Sequence, residues 1–452
     1  MGLILLTATP MQVAPVELWD LLNLLGLPDA WHKDAFEGFF RDLSSPGVTN
    51  DKLDRLSALF RASEAAFGQM TREEAERRTG LSRLRSKKVL EALRDSSRIP
   101  RRQLNEEQRK AALKLIRQAS PAKALVSLHT RELLRRYHKA GKLSTPIAAR
   151  HVEDRFIELS SEERAVYDRV EEYIAQTYNA ADKSVRSAVG FVMTIYRRRL
   201  ASSFHALRQT LEKRRDAVET SQEGVLDLEL EESIADVVEA GEEIDVEGAQ
   251  ERARQARVAE ETGSIDLLLA RINRLPVDTK ARRLVEELGD LEAAGYRQVI
   301  VFTQFTDTLD FLRDQVVEMA DRRVMCFSGR GGEIPTRDGR WQRISREAAK
   351  RYFREGKADV LIATDAAAEG LNFQFCGALV NYDLPWNPMR VEQRIGRIDR
   401  LGQQYGIIRI VNLHYQDTVE ADVYHALRSR IDVFHKVVGG LQPILTRLPC
   451  GG

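Results

Sequence analysis

Gln393, Arg397 and Arg400 follow one another at intervals of four and three residues. On a helix opened by the Pro-bounded turn Leu384-Pro-Trp-Asn-Pro388, that spacing turns all three side chains to one side. A guanidinium stays charged at any physiological pH and presents a planar fork of N–H donors. Two of them beside an amide make a site for an anion such as phosphate. Just upstream, two apolar runs end in short polar residues: Val360-Leu-Ile-Ala363 runs into Thr364-Asp365, and Ala378-Leu-Val-Asn-Tyr382 into Asp383. Such runs predict buried parallel strands. With the loop Glu369-Gly370-Leu371-Asn372 between them, they place the anion site at the carboxyl edge of a sheet.

The elements that must position this site are legible from 263 to 452. Helical and strand-like periods alternate: helix 281–294, strand 298–302, helix 308–319, strand 323–327, helix 345–355, the two strands and helix above, strand 407–413 and helix 419–437. The alternation predicts an α/β unit, a parallel sheet covered on both faces with ligand loops at its carboxyl ends. Thr303 and Gln304 stand at one such end, Ser328 and Gly329 at another. At Gly329 the missing Cβ would let a ligand's backbone come close. Segment 330–342 lengthens the turn after Gly329, and the sequence assigns it no role.

Composition bounds the rest. The chain has 452 residues, 43% hydrophobic and 30% charged, with a net charge of +1, enough for two or three domains with their own cores. Neutrality conceals asymmetry: 21 Lys and Arg against 8 Asp and Glu from Arg72 to Lys142, then 12 acidic residues and no basic one from Glu219 to Glu247. The 3 cysteines, Cys326, Cys376 and Cys450, lie too far apart for a disulfide framework or zinc site and suit a reducing cytoplasm. No histidine pair has metal-ligand spacing, and no apolar run approaches the roughly 20 residues of a membrane span. The expectation is a cytoplasmic chain with no metal held by its own residues.

Five segments are expected. Residues 1–45 hold a short aliphatic strand at 2–6 and an amphipathic helix stopped at Gly26 and Pro28. Residues 46–145 form a basic helical insertion, with either a nucleic-acid phosphate surface or a plain solvated exterior. Residues 146–218 give a strand-like link over 152–159 and then helices, with Met193 and Tyr196 read as packing residues. Residues 219–262 make an acidic linker whose self-repulsion opposes a compact core. The α/β unit completes the chain. Trp386, bracketed by prolines, reads as a rigid turn packed on the sheet.

Thr364-Asp365-x4-Gly370-x-Asn372 resembles motif V of superfamily II helicases, and Gln393-x2-Gly396-Arg397-x2-Arg400 resembles motif VI. The Leu401-Gly402-Gln403 that follows is typical of the Swi/Snf-type branch, and Thr7-Ala8-Thr9-Pro10-Met11-Gln12 is similar to motif III. The closest likeness within that branch is to bacterial stand-alone members of the RapA/HepA kind.

The resemblance implies a complete C-terminal RecA-like lobe at 263–452, a helical region, and a remnant of the N-terminal RecA-like lobe carrying Thr7, Ala8 and Thr9. It implies ATP with Mg²⁺ as cofactor. Arg397 and Arg400 would reach the β- and γ-phosphates, with Gln393 orienting them and Asp365, Glu369 and Gly370 beside the nucleotide. Asp365 would accept hydrogen bonds from the motif VI arginines. It implies DNA as partner, double-stranded DNA foremost with RNA as an alternative, contacted by Thr303, Gln304, Ser328, Gly329, Thr364 and Asn372.

The chain contains no G-x4-G-K-[ST] loop and no Asp-Glu dipeptide. A phosphate cradle and a Mg²⁺ carboxylate would therefore come from a lobe outside it, a separate N-terminal helicase subunit being one source. The expected function is the C-terminal part of an ATP-dependent translocase, inactive alone. The alternative is a non-catalytic nucleic-acid-binding or regulatory module.

Overall fold

A computed structural model describes residues 3–6, 15–45, 47–96, 100–127, 131–180, 186–220, 261–276, 278–365 and 372–421, with Tyr424, Arg428 and Leu445. Motif III at 7–9, the acidic stretch 221–260, Glu369 and Gly370, and most of the helix expected at 419–437 lie outside the described residues. The chain divides into one unit of residues 1–133 with 429–441, and another of residues 134–428 with 442–452.

The first unit is helical: α1 Pro15–Leu24, α2 Lys33–Ser44, α3 Asn50–Phe67, α4 Arg72–Thr79, α5 Arg83–Leu93, α6 Glu106–Gln118 and α7 Pro121–Leu125. Threonine and asparagine start these helices by accepting otherwise orphaned N–H groups. Thr49 and Thr71 cap α3 and α4, and Asn105 with Gln108 closes a reciprocal capping box on α6. Trp31 is fully buried, its ring edge-on to Phe36 and Phe39 and its Nε1 donating to Ser63 Oγ at 3.0 Å.

The strand expected at 2–6 is not formed. Residues 3–6 carry no regular structure, and Leu3, Ile4 and Leu6 are exposed. A strand needs a neighbour for its backbone donors and acceptors, and none is described there. Helix α1 packs with α2 and α7, so the boundary expected at residue 45 is not a structural one.

The second unit begins within α8 Arg131–Lys139 and holds β1 Ala149–Ile157, α9 Ser161–Ala180, α10 Arg186–Ser202, α11 Phe204–Thr220, α12 Glu261–Ile272, α13 Thr279–Ala293, β2 Val299–Thr303, α14 Thr306–Ala320, β3 Val324–Ser328, β4 Gly331–Pro335, β5 Trp341–Ile344, α15 Arg346–Arg354, β6 Val360–Thr364, β7 Ala378–Asn381, α16 Pro388–Ile395 and β8 Ile407–Tyr415. Eight strands form one sheet in the order β1-β8-β7-β2-β6-β3-β4-β5, parallel from β1 to β3 and antiparallel beyond. Strands β2, β3, β6 and β7 are buried along their whole length, as their unbroken apolar sequences require.

One face of the sheet packs Val301, Ile362, Val380 and Val411 against Leu284 and Leu288 of α13 and Leu309 and Leu312 of α14. Alternation along the strands sends Asn381 and Asn412 to the opposite face. Helices α9 to α12 make a second core with Tyr415, in which Met193 and Tyr196 are buried as packing residues.

Two expectations change here. The link at 146–218 is no separate segment: β1 is an edge strand of the sheet, pairing β8 in parallel from Ala149↔Ile407 to Ile157↔Tyr415. The 330–342 insertion is no loop: β4 and β5 form a hairpin that adds to the free edge of β3. Antiparallel addition needs only a tight turn, which a short insertion can supply.

Candidate functional site

Parallel pairing alone collects three candidates. Thr303 lies opposite Thr364, and Phe327 opposite Ala363, so Thr303, Thr364 and Ser328 end three adjacent strands at one edge. Their side chains turn inward, being 0%, 6% and 3% exposed. The Thr303 hydroxyl donates to Asp383 Oδ2 at 2.6 Å, and Ser328 Oγ accepts from the Arg330 N–H at 3.2 Å. Gln304 donates its backbone N–H to Asp383 Oδ1 and its side-chain amide to the Leu384 carbonyl, while its Oε1 is buried without a partner. As the fold stands, these groups brace the strand ends from inside. Gly329 differs: a Cβ built there would meet nothing within 4 Å. Asn372 closes a local turn, its Oδ1 accepting from the Gln374 N–H at 3.2 Å.

Asp383 organises this edge. Besides Thr303 and Gln304, it accepts from the Ser202 hydroxyl at 2.6 Å, which ties helix α10 to the sheet. Ser202 and Ser203 in turn meet Thr308 at the start of α14.

Arg394 is the second organiser. It is 2% exposed and holds Asp365 in a fork of 2.5 and 2.7 Å. Its remaining Nη1 donates to the Asp383 carbonyl at 2.7 Å and to Asn381 Oδ1 at 3.1 Å. Burial opposes its charge, but the Asp365 carboxylate outweighs burial, and the guanidinium's pKa is raised. From Asn381 the bonding continues sideways: Asn381 donates to Asn412 Oδ1 at 2.7 Å, and Asn412 donates to Asp154 Oδ1 at 2.7 Å. The ladder crosses β7, β8 and β1 at residues held opposite one another by register. Asp365 thus engages Arg394, an arginine that was not among those expected for it.

The helix expected to carry Gln393, Arg397 and Arg400 on one side is shorter than that. α16 ends at Ile395 and caps at Gly396, after which the chain tightens into turns with Arg397 N–H on the Arg394 carbonyl and Ile398 N–H on that of Ile395. Only Gln393 is helical, and the 3.6-residue spacing does not orient the two arginines. Packing draws the turn in: Asp399 is buried against Arg150, whose guanidinium also forks onto Glu392 at 2.7 Å on both prongs. Burial works against the Arg150 charge, yet the Glu392 and Asp399 carboxylates prevail and raise its pKa. The Phe373 N–H on the Arg397 carbonyl ties the turn to the chain after Asn372. Gln393 is exposed, Arg397 and Arg400 are half-buried, and Arg400 Nε donates to the Gly396 carbonyl at 2.9 Å.

Sequence reasoning passed over Arg394, Asp383 as an organiser, Ser202 and Arg150. The signal for Arg394 was present: it falls on the apolar stripe of Val391, Ile395 and Ile398, where a charge must find a buried partner. No such signal marked Arg150, whose partners lie 242 and 249 residues away.

Gln393 on α16 and Arg397 and Arg400 on the turn after it carry amide and guanidinium groups, the chemistry that a nucleotide's phosphate end requires. For Mg²⁺ the fit is poorer, because Asp365 is taken by Arg394, and the described residues hold no group of three or more metal-ligating side chains. Among the described residues no helix is long and apolar enough to cross a membrane.

Residues 279–402 match the helicase conserved C-terminal domain. YqhH, an uncharacterised ATP-dependent helicase of Bacillus subtilis, is 33% identical over 301 residues, 66% of this chain and 43% of that protein. The RNA polymerase-associated protein RapA of Serratia proteamaculans is 41% identical over 93 residues, 20% of this chain and 10% of that one. The chain thus spans less than half the length of either relative. The solved Hef helicase domain of Pyrococcus furiosus aligns at 13% identity over 92% of this chain and 88% of that one, with a TM-score of 0.41.

Proposed function

The chain carries a helicase conserved C-terminal domain at residues 279–402 and is homologous to ATP-dependent helicases, and on that premise we propose that it serves as the second RecA-like lobe of a Swi/Snf-type nucleic-acid translocase. The observation that carries the reading is the Arg394 clamp on Asp365 and Asp383. It fixes the motif V strand end to the motif VI segment that carries Gln393, Arg397 and Arg400.

In this reading Arg397 and Arg400 act as fingers on the β- and γ-phosphates of a nucleotide held by a P-loop that this sequence does not contain. ATP supplies the phosphoryl group. The arginines supply charge where it spreads over the equatorial oxygens, an effect of about 10³–10⁵ in rate. Gln393 holds the phosphate end, and Asp365, Glu369 and Gly370 bring the motif V loop beside it. Contact with a DNA backbone falls to Gly329 and Asn372, at the turns beside the strand ends of Thr303, Gln304, Ser328 and Thr364. Short groups of this kind position a strand without reading its sequence. The location is cytoplasmic.

The test is ATP hydrolysis with DNA present. The 452-residue chain alone gives no turnover, and adding a P-loop lobe from a relative restores it only while Arg397 and Arg400 are intact. Turnover by the chain alone that Arg397→Ala abolishes would overturn the proposal. In the same preparation, the logarithm of DNA affinity falls linearly with the logarithm of salt concentration, as counterion release requires. The alternative of a non-catalytic binding module predicts that salt dependence with no rescue of hydrolysis.

A further inference from the structure

At the amino edge of the sheet, opposite the edge described above, lies a cleft of about 560 Å³. The chain segments that enter β2, β7 and β8 form its walls with the end of α15. Its volume falls within the range of small-ligand sites, about 300–1,000 Å³. Nothing in the proposed function draws on it.

The lining has a consistent chemistry. Arg297 and Arg354 flank the cleft; both are exposed, and neither has a carboxylate partner among the described residues. Among the described residues no acidic side chain lines the cleft, so an anion entering it meets a net attraction. The amides of Gln374 and Gln404 set donors and acceptors side by side, the pattern that matches the edge of a nucleobase, while the Gln298 amide is held by the Phe353 and Ala358 carbonyls at 2.6 and 3.0 Å. Two half-buried rings, Phe375 and Tyr405, give planar surface, with the Arg354 guanidinium lying over the Phe375 ring at 5.9 Å. Each is braced from behind. Phe375 packs on Phe353 and Phe373, while Tyr405 stacks on Tyr296 with its ring over Gly377, where a Cβ would come within 2.5 Å. A braced ring costs little ordering entropy when a ligand stacks on it.

We propose that this amino-edge cleft binds a nucleotide unit, with phosphate on Arg297 and Arg354 and base against Phe375 and Tyr405. Two guanidinium forks suit the charge and several oxygens of a phosphate, and the paired amides with rings favour a planar heterocycle over an acidic peptide. The unit is either a free mononucleotide or one residue of a single strand.

Calorimetric titration of the full chain with AMP, and separately with a twelve-residue oligothymidylate, tests the site. The comparison is with Arg297→Ala/Arg354→Ala, and with Arg337→Ala, an exposed arginine at the tip of the β4–β5 hairpin, as the control. Both cleft arginines are exposed, so the double variant keeps the wild-type melting temperature. The expected result is at least a roughly tenfold loss of affinity in the double variant and no loss in the control. AMP binding at full strength identifies a free nucleotide; binding of the oligomer alone identifies a strand. A second readout is photocrosslinking of 8-azido-AMP, or of a 4-thiothymidine oligomer, to peptides containing Phe375 or Tyr405. AMP binding that survives the double substitution, oligomer binding with no crosslink at Phe375 or Tyr405, no binding of either ligand, or capture of polyglutamate in their place each overturns the proposal.

Discussion

A buried guanidinium such as that of Arg394 is stable only while every prong has an acceptor, and here the acceptors belong to two different segments, at Asp365 and at Asn381 to Asp383. Removing it strands the Asp365 carboxylate and the Asp383 carbonyl together. Arg394→Ala is therefore expected to cost about 3 kcal/mol, near the lower end for breaking a buried ion pair because Asp365 retains some exposure. Arg394→Lys should not restore this, since one ammonium cannot form the fork. Denaturant midpoints with unchanged slopes measure both. The glycines at the sheet edge make an opposite pair. Gly332→Ala places a Cβ 2.7 Å from the Ala349 Cβ, which has no flexible end to yield, and is expected to cost about 1–3 kcal/mol. Gly329→Ala meets open space, so a stability change within roughly 0.5 kcal/mol is expected. Should nucleic-acid affinity fall in Gly329→Ala while the melting temperature holds, close backbone approach at that turn is supported.

Helix α11 brings a pH response to its layer. His205 stacks on Phe311 at 5.2 Å, and burial, then the neighbouring Arg208 charge, lowers its pKa from the ordinary 6.5. The folded state thus favours neutral imidazole. Its contribution is complete above 6.5 and lost as pH falls through the lower folded value. The denaturation midpoint should drop between about pH 7 and pH 5, and His205→Gln should flatten that drop. At the other side of the sheet, the β4–β5 hairpin covers an edge of β3 that would otherwise offer a row of unpaired backbone groups. Replacing 331–344 by a short turn is expected to cause self-association visible by light scattering, while a variant that keeps the hairpin but changes its tip residues 337–339 stays monodisperse. The basic helices of the first unit are less free than their composition implied. Arg85, Arg94, Arg101 and Lys110 already meet Glu107, Glu64, Asp54 and Glu106. Exposed pairs among these are weak enough to exchange for phosphate.

Across the whole molecule, the α/β unit begins well before the helicase conserved C-terminal domain, because β1 closes the sheet edge at β8 and Asp154 ends the polar ladder. A fragment of residues 134–428 should be soluble and unfold cooperatively, whereas one of residues 160–428 exposes β8, leaves Asn412 short of a partner, and should aggregate. Size-exclusion profiles of the two decide it. The parallel sheet, the strand ends that gather Thr303, Ser328 and Thr364, and the phosphate-type donors Gln393, Arg397 and Arg400 were written in local sequence. Unbroken apolar runs, alternating periods and motif spacing are short-range signals that a chain carries residue by residue. What those residues touch was not written there. The side chains of Thr303 and Ser328 turn inward, α16 stops at Gly396, Asp365 takes Arg394, and β1 joins a sheet from which it is separated by the acidic stretch. Each of these depends on partners tens to hundreds of residues away, and which partner a buried charge or an open strand edge finds is fixed only when the chain packs.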